Sequence, residues 1–320
     1  RVAGTLLLAW AAAAACVALH TPLPWMLGPL VATSVLSMAG APTESWGPLR
    51  NGGQWAIGAA LGLYFTPEVS ALVGSLWWAI VLGIGWALLL GWGFGAWLYR
   101  LHAPRMHGVP ASMLRSTSYF AGAIGAASEM TLLSERENAR TDLVAASHSL
   151  RLLIVTITIP FALQWSGLQG LDILIPTVRD VSWPGLALLA LLTGAGALVM
   201  DRLGRANPWF MGAMLVSMAV TMAGLHLSAV PQAVVNAAQL VIGVSLGVRF
   251  RAEFLHTAPR WLASVAVGTF GLMGICAAFA AVLAWATGLP WVTLLLGTSP
   301  GGITEMAITA KVLQLGVPVV

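Results

Sequence analysis

The composition of this chain is that of a membrane protein. Its 320 residues are 58% hydrophobic and only 8% charged, the mean hydropathy is +0.87 and the formal net charge is +4. Soluble globular domains do not need so many apolar residues, which excludes that class and indicates a protein that crosses the membrane several times. The positive charges lie mostly in short loops, which is the orientation signal of a membrane protein, so we expect no nucleic-acid partner.

Apolar segments follow one another along the whole chain. Several are shorter than the ~20 residues that span a bilayer, so we expect them to be tilted, unwound or lengthened by polar ends. The segments cover residues 3–20, 25–40, 51–66, 70–99, 110–122 with 127–138, 142–165, 183–200, 208–224, 236–250, 258–287, and 290–299 with 303–314.

Two of these segments are interrupted by glycine or proline beside a carboxylate. Residues 298–306 read Thr-Ser-Pro-Gly-Gly-Ile-Thr-Glu-Met, and residues 122–130 read Gly-Ala-Ile-Gly-Ala-Ala-Ser-Glu-Met. Proline removes a backbone donor and glycine loosens a helix, so backbone groups are freed at a depth where only protein, ligand or trapped water can satisfy them. The pattern predicts two hairpins of broken helix, as in transporters built from two repeats.

Recurring motifs divide the chain into two halves. The motif Pro-Trp-x-x-Gly begins at Pro24 and again at Pro208, and a Gly-x-x-x-Gly motif occurs at 58–62 and again at 243–247. A match this extended indicates an internal duplication. We therefore predict a first repeat over residues 1–165, a linker over 166–182 and a second repeat over 183–320.

The charges of the loops predict how the two halves are related. Arginines follow the fourth, seventh and ninth segments, whereas the loops near His20, Glu68, His226 and Pro290 carry no Lys or Arg. By the positive-inside rule the first group is cytoplasmic and the second external, so the N-terminus is cytoplasmic and equivalent loops lie on opposite sides. The arginines of the cytoplasmic loops are Arg100, Arg105, Arg202, Arg205, Arg249, Arg251 and Arg260.

The predicted fold is an all-α polytopic membrane protein with two inverted-topology repeats. Each repeat has about five transmembrane helices plus a re-entrant or broken-helix hairpin. The hairpin at 110–138 enters from the cytoplasm and its partner at 290–314 from the outside, so their tips meet near the midplane. A helix at 142–165 follows the first hairpin, and the repeat predicts about one more crossing of ~20 residues beyond Val320.

Glu129 and Glu305 each stand at the predicted start of a returning half-helix. One interpretation is an N-terminal capping carboxylate, with Ser128 or Thr304 as the cap residue. The other is a coupling site, in which one or both carboxylates bind a proton, Na⁺ or a cationic part of the substrate. The two roles are compatible with each other.

Arg151 is predicted to lie near the bilayer midplane. It stands about ten residues into the helix that begins near Asp142, which is ~15 Å from the cytoplasmic end at ~1.5 Å per residue. A cation at this depth needs a partner, and two remain open: the carboxylate of Glu129 or a carboxylate of the substrate. His148 lies one turn away on the same face and would tune either role.

The other polar residues outside the hairpin tips are expected to stabilise helix packing and not to bind a substrate. Gln54 and Gln239 are equivalent in the two halves and are expected to form hydrogen bonds between helices, and the Gly-x-x-x-Gly motifs are expected to allow close helix packing. Arg115 is expected to reach the cytoplasmic interface. The six histidines and two cysteines supply no convergent set of metal ligands, so we predict no metal site and no cofactor.

With these motifs the chain resembles the AbrB family of bacterial inner-membrane proteins, which is named after a regulator of aidB expression and is distinct from the DNA-binding regulator of that name. The segment Ser-Pro-Gly-Gly-x-Thr-Glu-Met at 299–306 is the most specific part of the resemblance. The resemblance implies an inner-membrane protein with two internal duplications and a transport role. Members are also labelled ammonia monooxygenase, which this sequence does not favour because it shows no metal-ligand set. The first hairpin departs from the pattern by carrying Gly-Ala-Ile-Gly-Ala-Ala in place of a Pro-Gly-Gly turn.

The predicted function is secondary active transport of a small solute, and half-helix amide ends with Arg151 favour a small organic anion. The substrate site would lie between the hairpin tips, and transport by alternating access would be coupled to H⁺ or Na⁺. The protein would lie in a lipid bilayer, with a homodimer as one arrangement of its scaffold. We expect no enzymatic activity. The alternatives are a membrane-bound regulatory or partner-binding protein and, more remotely, a metal-dependent monooxygenase. The predicted substrate-binding residues are Thr298, Ser299, Gly301, Gly302, Thr304, Arg151, Gly125 and Ser128, and the predicted ion-coupling residues are Glu129 and Glu305.

Overall fold

The computed structural model describes residues 1–106, 108–125, 127–167, 180–250, 258–317 and 320, apart from the side chain of Ser128. Within these residues the chain forms fourteen α-helices and no β-strand. The helices are α1 (Val2–Ala18), α2 (Pro24–Met38), α3 (Gly47–Gly62), α4 (Pro67–Ser75), α5 (Trp77–His102), α6 (Ala111–Gly122), α7 (Ala127–Arg136), α8 (Thr141–Ser166), α9 (Trp183–Arg202), α10 (Pro208–Met222), α11 (Gln232–Gly247), α12 (Pro259–Thr287), α13 (Trp291–Thr298) and α14 (Ile303–Val312).

In the described part of the chain four helices, α5, α8, α9 and α12, are long and apolar enough to cross a bilayer. The pair α3 and α4 is a further candidate span, bent by 88° at the break between its two helices. The helices α1, α2, α10 and α11 are shorter but apolar as well. The described helices therefore fit a multi-pass membrane protein, as the composition predicts.

Two helix boundaries differ from those expected from hydropathy. α3 begins at Gly47, before its apolar segment starts, because Pro48 is well suited to the first turn of a helix. α11 begins at Gln232 and ends at Gly247, so it starts and ends earlier than the predicted segment. Both differences change which side chains reach the site described below.

The segment predicted over 70–99 is two helices instead of one. α4 begins after Thr66, whose hydroxyl accepts a hydrogen bond from the backbone N–H of Val69 at 3.4 Å. It ends at Leu76, where φ is −98° and ψ is 16°, and α5 starts at the next residue. Apolar sequence continues through this break, so hydropathy alone does not reveal it.

The two halves share backbone features at equivalent positions. Leu23 and Asn207, directly before the proline of each Pro-Trp-x-x-Gly motif, both adopt the left-handed conformation, with φ of 45° and 50°. Gly40 and Gly224, just beyond the helices that follow, have φ of 83° and 73°. Leucine rarely adopts positive φ, so its occurrence at the position equivalent to Asn207 indicates a turn common to both halves.

The contacts between helices also correspond in the two halves. α3 packs on α10 as α11 packs on α2, and α9 packs on α10 as α1 packs on α2. A Cβ atom added to Gly58 would meet the carbonyl oxygen of Phe210, and one added to Gly243 would lie 2.5 Å from that of Met26. Phe210 and Met26 occupy equivalent positions in the two Pro-Trp-x-x-Gly motifs. The close packing predicted for both Gly-x-x-x-Gly motifs is confirmed.

α3 of the first half packs against α11 of the second half. Arg50 at the start of α3 is within electrostatic range of Arg249, just beyond the end of α11. Further along α3, a Cβ atom on Gly53 would lie 3.1 Å from the carbonyl oxygen of Ala238 in the first half of α11.

The main hydrophobic core joins the two halves. Leu30 of α2, Ile57 of α3, Phe210 of α10 and Ile308 of α14 are at most 1% exposed and belong to one cluster. A second cluster gathers side chains of α5, α6, α8 and α12 around Trp261. Each cluster includes part of one hairpin, which fixes both hairpins against the surrounding helices.

The predicted linker at 166–182 falls largely outside the described residues. α8 ends at Ser166 and α9 begins at Trp183, so helices border it on both sides. Residues 168–179 lie outside the described ranges, as does Arg251, one of the arginines used to orient the chain.

Candidate functional site

Both predicted hairpins are pairs of short helices with a break between them. α6 ends at Gly122 and α7 begins at Ala127, while α13 ends at Thr298 and α14 begins at Ile303. The second break is extended backbone, with φ −81° and ψ 145° at Gly302. The prediction of two broken helices is therefore confirmed, with glycine at the first break and proline with two glycines at the second.

The two hairpin tips are built alike. A Cβ atom on Gly125 would lie 3.2 Å from the terminal methyl of Met130, and one on Gly301 would lie 2.9 Å from that of Met306. In each hairpin the methionine of the Glu-Met pair thus folds back over a glycine of its own tip. The recurrence of this contact explains why both sequences keep glycine and Glu-Met at the same separation.

A cavity of about 260 Å³ lies between the two tips. Residues 124, 125 and 127 line it from the first tip and residues 300–305 from the second, and α3, α8 and α11 complete the wall. Among the described residues the wall contains three arginines and one carboxylate, so it carries an excess of positive charge. Its polar and charged residues are Arg50, Gln54, His148, Arg151, Asn207, Ser245, Arg249, Thr304 and Glu305.

Arg151 is 4% exposed and binds the end of α6. Its guanidinium donates to the carbonyl oxygens of Ala121, Gly122 and Ala123 at 3.4, 3.2 and 2.9 Å. The last carbonyls of a helix lack partners within it and favour a cation, so this contact stabilises the helix end. Among the described residues Arg151 forms no salt bridge with Glu129, one of the two partners predicted for it.

His148 completes the contact between α8 and α6. Its Nε2 lies 2.8 Å from the carbonyl oxygen of Phe120, and its Nδ1 lies 2.9 Å from a guanidinium nitrogen of Arg151. The carbonyl can only accept and the guanidinium can only donate, so Nε2 carries the proton and the imidazole is neutral. Two side chains of α8 thereby hold the carbonyls of residues 120–123 at the base of the first tip.

Glu305 is 7% exposed and lies in the first turn of α14. The residue that caps this helix is Gly302, so the predicted capping role of Thr304 is wrong. The carboxylate of Glu305 fills the space that a Cβ atom on Gly302 would occupy, which explains a glycine at this position. The side chain is within electrostatic range of Arg249, but no guanidinium of the described chain approaches it within 4.0 Å.

Arg50 and Arg249 enter the cavity from the two halves. Arg50 donates to the side-chain oxygen of Asn51 at 3.3 Å, and its Nε is buried without a hydrogen-bond partner. Arg249 lies within electrostatic range of both Arg50 and Glu305. The two guanidinium groups repel each other, and Arg249 lies nearer to the carboxylate of Glu305.

Gln54 joins the halves across the cavity wall. Its amide nitrogen donates to the side-chain oxygen of Asn207 at 3.1 Å. Asn207 precedes α10 in the left-handed turn noted above. The hydrogen bond between helical elements predicted for Gln54 is thus confirmed, with a partner that hydropathy did not indicate.

Three predicted site residues do not line the cavity. The hydroxyls of Thr298 and Ser299 each donate to a carbonyl oxygen of α13 at 2.8 Å, and Glu129 lies in the first turn of α7 without contributing to the wall. The side chain of Ser128 lies outside the described part of the chain. The predicted residues that do line the cavity are Gly125, Arg151, Gly301, Gly302, Thr304 and Glu305.

Four polar residues of the wall were missed from the sequence or given another role. Arg50 precedes the apolar segment as drawn from hydropathy, and Arg249 was counted as a loop cation. Asn207 and Ser245 carry no charge, so nothing in the sequence indicated that they line a site inside the membrane. A useful clue was present for Arg249, since it lies just beyond the Gly-x-x-x-Gly motif at 243–247.

The donor set of the cavity suits an anion. Guanidinium groups and free helix N–H groups donate hydrogen bonds and cannot bind a cation, whereas carboxylate, thiolate and neutral imidazole ligands are what a metal requires. In the described ranges no group of three or more His, Cys, Asp or Glu residues could hold a metal ion.

Sequence comparison extends the resemblance noted from the motifs. A family model described as "Transition state regulatory protein AbrB" matches residues 25–320. The chain belongs to the AbrB family. The AbrB match includes both hairpins and every residue of the cavity wall, so the site described here lies within the family's shared region.

Two relatives of this AbrB-family chain come from Escherichia coli and Bacillus subtilis. The chain is 26% identical over 301 residues to the Escherichia coli (strain K12) protein "Putative regulator AbrB", covering 92% of this chain and 82% of that protein. It is 24% identical over 326 residues to the Bacillus subtilis (strain 168) "Uncharacterized protein YhjN", covering 91% of this chain and 79% of that protein. No solved structure matches the chain significantly.

Proposed function

We propose that the protein is a secondary active transporter of a small organic anion, coupled to H⁺ or Na⁺. The observation that carries the proposal is the cavity between the two hairpin tips, whose wall contains three arginines and the carboxylate of Glu305. Ionisable groups buried in membrane segments mark substrate and ion pathways. Transporter sites of this kind form where broken helices of two repeats face each other.

The helix ends at the cavity support a preference for anions. α7 and α14 both begin at the wall, where Ala127 and Ile303 line the space. The first turn of a helix presents unpaired N–H groups and the positive end of its dipole. Together with the arginines, these groups would bind a carboxylate and would disfavour a cationic substrate.

Glu305 is the candidate for ion coupling. It is the one carboxylate that lines the cavity within the described residues, and it faces the cavity beside Arg249. A proton or Na⁺ on this carboxylate would change the charge of the cavity by one unit, which links ion binding to anion binding. Glu129, its counterpart in the first hairpin, does not line the cavity, so we assign the coupling role to Glu305 alone.

Alternating access by two inverted repeats is the proposed mechanism. It is supported by the exchanged packing of the two halves, in which α3 packs on α10 and α11 packs on α2. We place the protein in the bacterial inner membrane with a cytoplasmic N-terminus, in accordance with the loop arginines.

Uptake into liposomes tests the proposal. Wild-type protein is expected to accumulate at least one small organic acid when a proton or sodium gradient is imposed. Glu305→Gln keeps the size of the side chain and removes the titrating group, so uptake should lose its dependence on the gradient. The matched control is Glu129→Gln, which changes the equivalent residue outside the cavity wall and should leave uptake unchanged. Absence of uptake of every acid under both gradients contradicts the proposal.

A second candidate function is membrane-bound regulation or partner binding without transport. It is favoured by the description of the family model and by the name of the Escherichia coli relative, both of which refer to regulation. A protein of this kind would bind a ligand or partner without moving a solute. Ligand binding that raises the melting temperature of wild type, with no uptake of that ligand into liposomes, would favour it.

A further inference from the structure

We propose that Arg50 and Arg249 are the substrate-binding cations and that they select a substrate with two acid groups, which binds together with a proton on Glu305. The chemical class is a small dicarboxylate or an equivalent dianion. This inference rests on the proposed transport of an organic anion and specifies its charge and its ligands.

The first step is that Arg151 is already occupied. Its guanidinium donates to three carbonyl oxygens of residues 121–123 and to His148, and its side chain is almost fully buried. A substrate carboxylate could displace these contacts only by leaving the carbonyls at the end of α6 unpaired, which is costly away from water. Arg151 is therefore a positioning residue for the first tip.

The second step is that Arg50 and Arg249 are not occupied. Among the described residues the Nε of Arg50 is buried without a partner, and the guanidinium donates a hydrogen bond to the neutral side chain of Asn51. Arg249 has no carboxylate within 4.0 Å among the residues that the structure describes. A buried guanidinium normally pairs with a carboxylate or phosphate, often through two parallel hydrogen bonds. Arg50 and Arg249 are each partly buried, face the same cavity and repel each other.

The third step is the charge of the wall. The two free guanidinium groups contribute two positive charges, and Glu305 contributes one negative charge when it is ionised. A dianion neutralises both arginines, but it then faces the carboxylate of Glu305 at close quarters. Protonation of Glu305 removes this repulsion, so a dianion and a proton favour each other's binding.

The surroundings of Glu305 agree with this linkage. The charged or titratable residues that line the cavity with it are Arg50, His148, Arg151 and Arg249, and Lys311 lies further along its own helix. His148 is held neutral by its two hydrogen-bond partners. Glu305 is thus the group of the cavity wall whose charge can change on binding.

Calorimetry with matched acids tests the inference. Succinate and its longer homologues are titrated into purified wild-type protein beside monocarboxylates of the same chain length, in buffers of different ionisation enthalpy. Wild type is expected to bind at least one dicarboxylate about tenfold or more tightly than its monocarboxylate, since a second charge-assisted pair is gained. The buffer dependence is expected to show uptake of about one proton per dicarboxylate, because only Glu305 changes charge.

Single substitutions test which residues cause the preference for a dicarboxylate and the uptake of a proton. Glu305→Gln is expected to bind the dicarboxylate without proton uptake. Arg50→Gln and Arg249→Gln are expected to lose the preference for the dicarboxylate, and Arg50→Lys, which keeps the charge, to retain part of it. Arg115→Gln, a change of an exposed arginine outside the cavity, is the control and should bind like wild type. Melting curves show whether each variant is folded.

The outcomes separate this inference from the proposed function. Equal binding of dicarboxylates and monocarboxylates, or failure of every dicarboxylate to bind wild type, overturns the inference. If liposomes then still accumulate another organic acid, transport stands and only the two-charge selection is wrong. If no small acid binds or is accumulated, both are wrong.

Discussion

At the scale of single residues, the contact between α8 and α6 is the most informative. Arg151 and His148 hold consecutive carbonyl groups at the end of α6, directly before the first hairpin tip. This arrangement replaces the two roles that sequence reasoning left open for Arg151. The arginine binds neither Glu129 nor, in our proposal, the substrate, and it fixes the tip against which the substrate is bound.

Replacement of Arg151 tests this role through stability. Arg151→Ala leaves carbonyls of residues 121–123 without their buried donor, so we expect a loss of about 2–4 kcal/mol in the free energy of unfolding in detergent. Arg151→Lys should recover only part of it, because an ammonium cannot reach three carbonyls with the planar geometry of a guanidinium.

The control for this experiment is Arg115→Ala. Arg115 is exposed and its guanidinium lies 5.4 Å from the centre of the Tyr99 ring, so its removal should change the free energy by about 0.5 kcal/mol or less. If Arg151→Ala unfolds at the same denaturant concentration as Arg115→Ala, the positioning role is wrong.

The site residues that could be predicted from the sequence are those whose type is energetically unfavourable inside a membrane helix. Glu305 and Arg151 were identified because a charge in apolar sequence demands an explanation, and Gly302 because a broken helix needs glycine. Arg50 was missed because α3 begins before its apolar segment, and Arg249 because a cation at the end of a segment looks like an ordinary loop charge. Hydropathy measures composition, whereas these two positions depend on tertiary packing.

At the scale of helices, glycine contacts hold the two halves together. A Cβ atom on Gly58 would meet the backbone of Phe210, and one on Gly243 would meet the backbone of Met26. Backbone atoms cannot move aside as a flexible side chain can, so the helices would have to separate. These contacts are the physical basis for predicting helix packing from Gly-x-x-x-Gly motifs in a membrane protein.

Alanine substitutions test the glycine contacts. Gly58→Ala and Gly243→Ala are each expected to lower the free energy of unfolding by about 1–3 kcal/mol because of overpacking. Gly52→Ala in the same helix as Gly58 is the matched control, since a Cβ atom there meets nothing within 4 Å and alanine favours helix by up to about 1 kcal/mol. Thermal melting in detergent should therefore show opposite signs for Gly58→Ala and Gly52→Ala, and equal effects would contradict the packing described.

The sequence predicted the existence of the helices better than their ends. Both hairpins were found because proline and glycine interrupt apolar sequence, and the paired motifs gave the correspondence between halves. The break between α4 and α5 at Leu76 was missed because Gly74 and Ser75, which precede it, are small and interrupt the apolar sequence only briefly. Helix ends depend on caps and on contacts with other helices, which a hydropathy profile does not contain.

At the scale of the whole molecule, the cavity combines elements from both halves. The first tip and α8 contribute His148 and Arg151, α3 contributes Arg50, and the second half supplies Arg249 and Glu305. No single segment of sequence contains this set, so the site could be predicted only as two hairpin tips and one arginine. The full set of polar side chains in the cavity wall can be identified only from the folded structure.

Access to the cavity from the two sides of the membrane tests most directly whether this cavity is the transport site. Ser245 lines the wall and is 6% exposed, so Ser245→Cys in a protein whose Cys16 and Cys276 are replaced by alanine places one thiol in the cavity. A membrane-impermeant thiol reagent is added to oriented vesicles from one side or the other. We predict labelling from both sides and protection by a transported acid. Labelling from one side alone, unaffected by any acid, would contradict a site with alternating access.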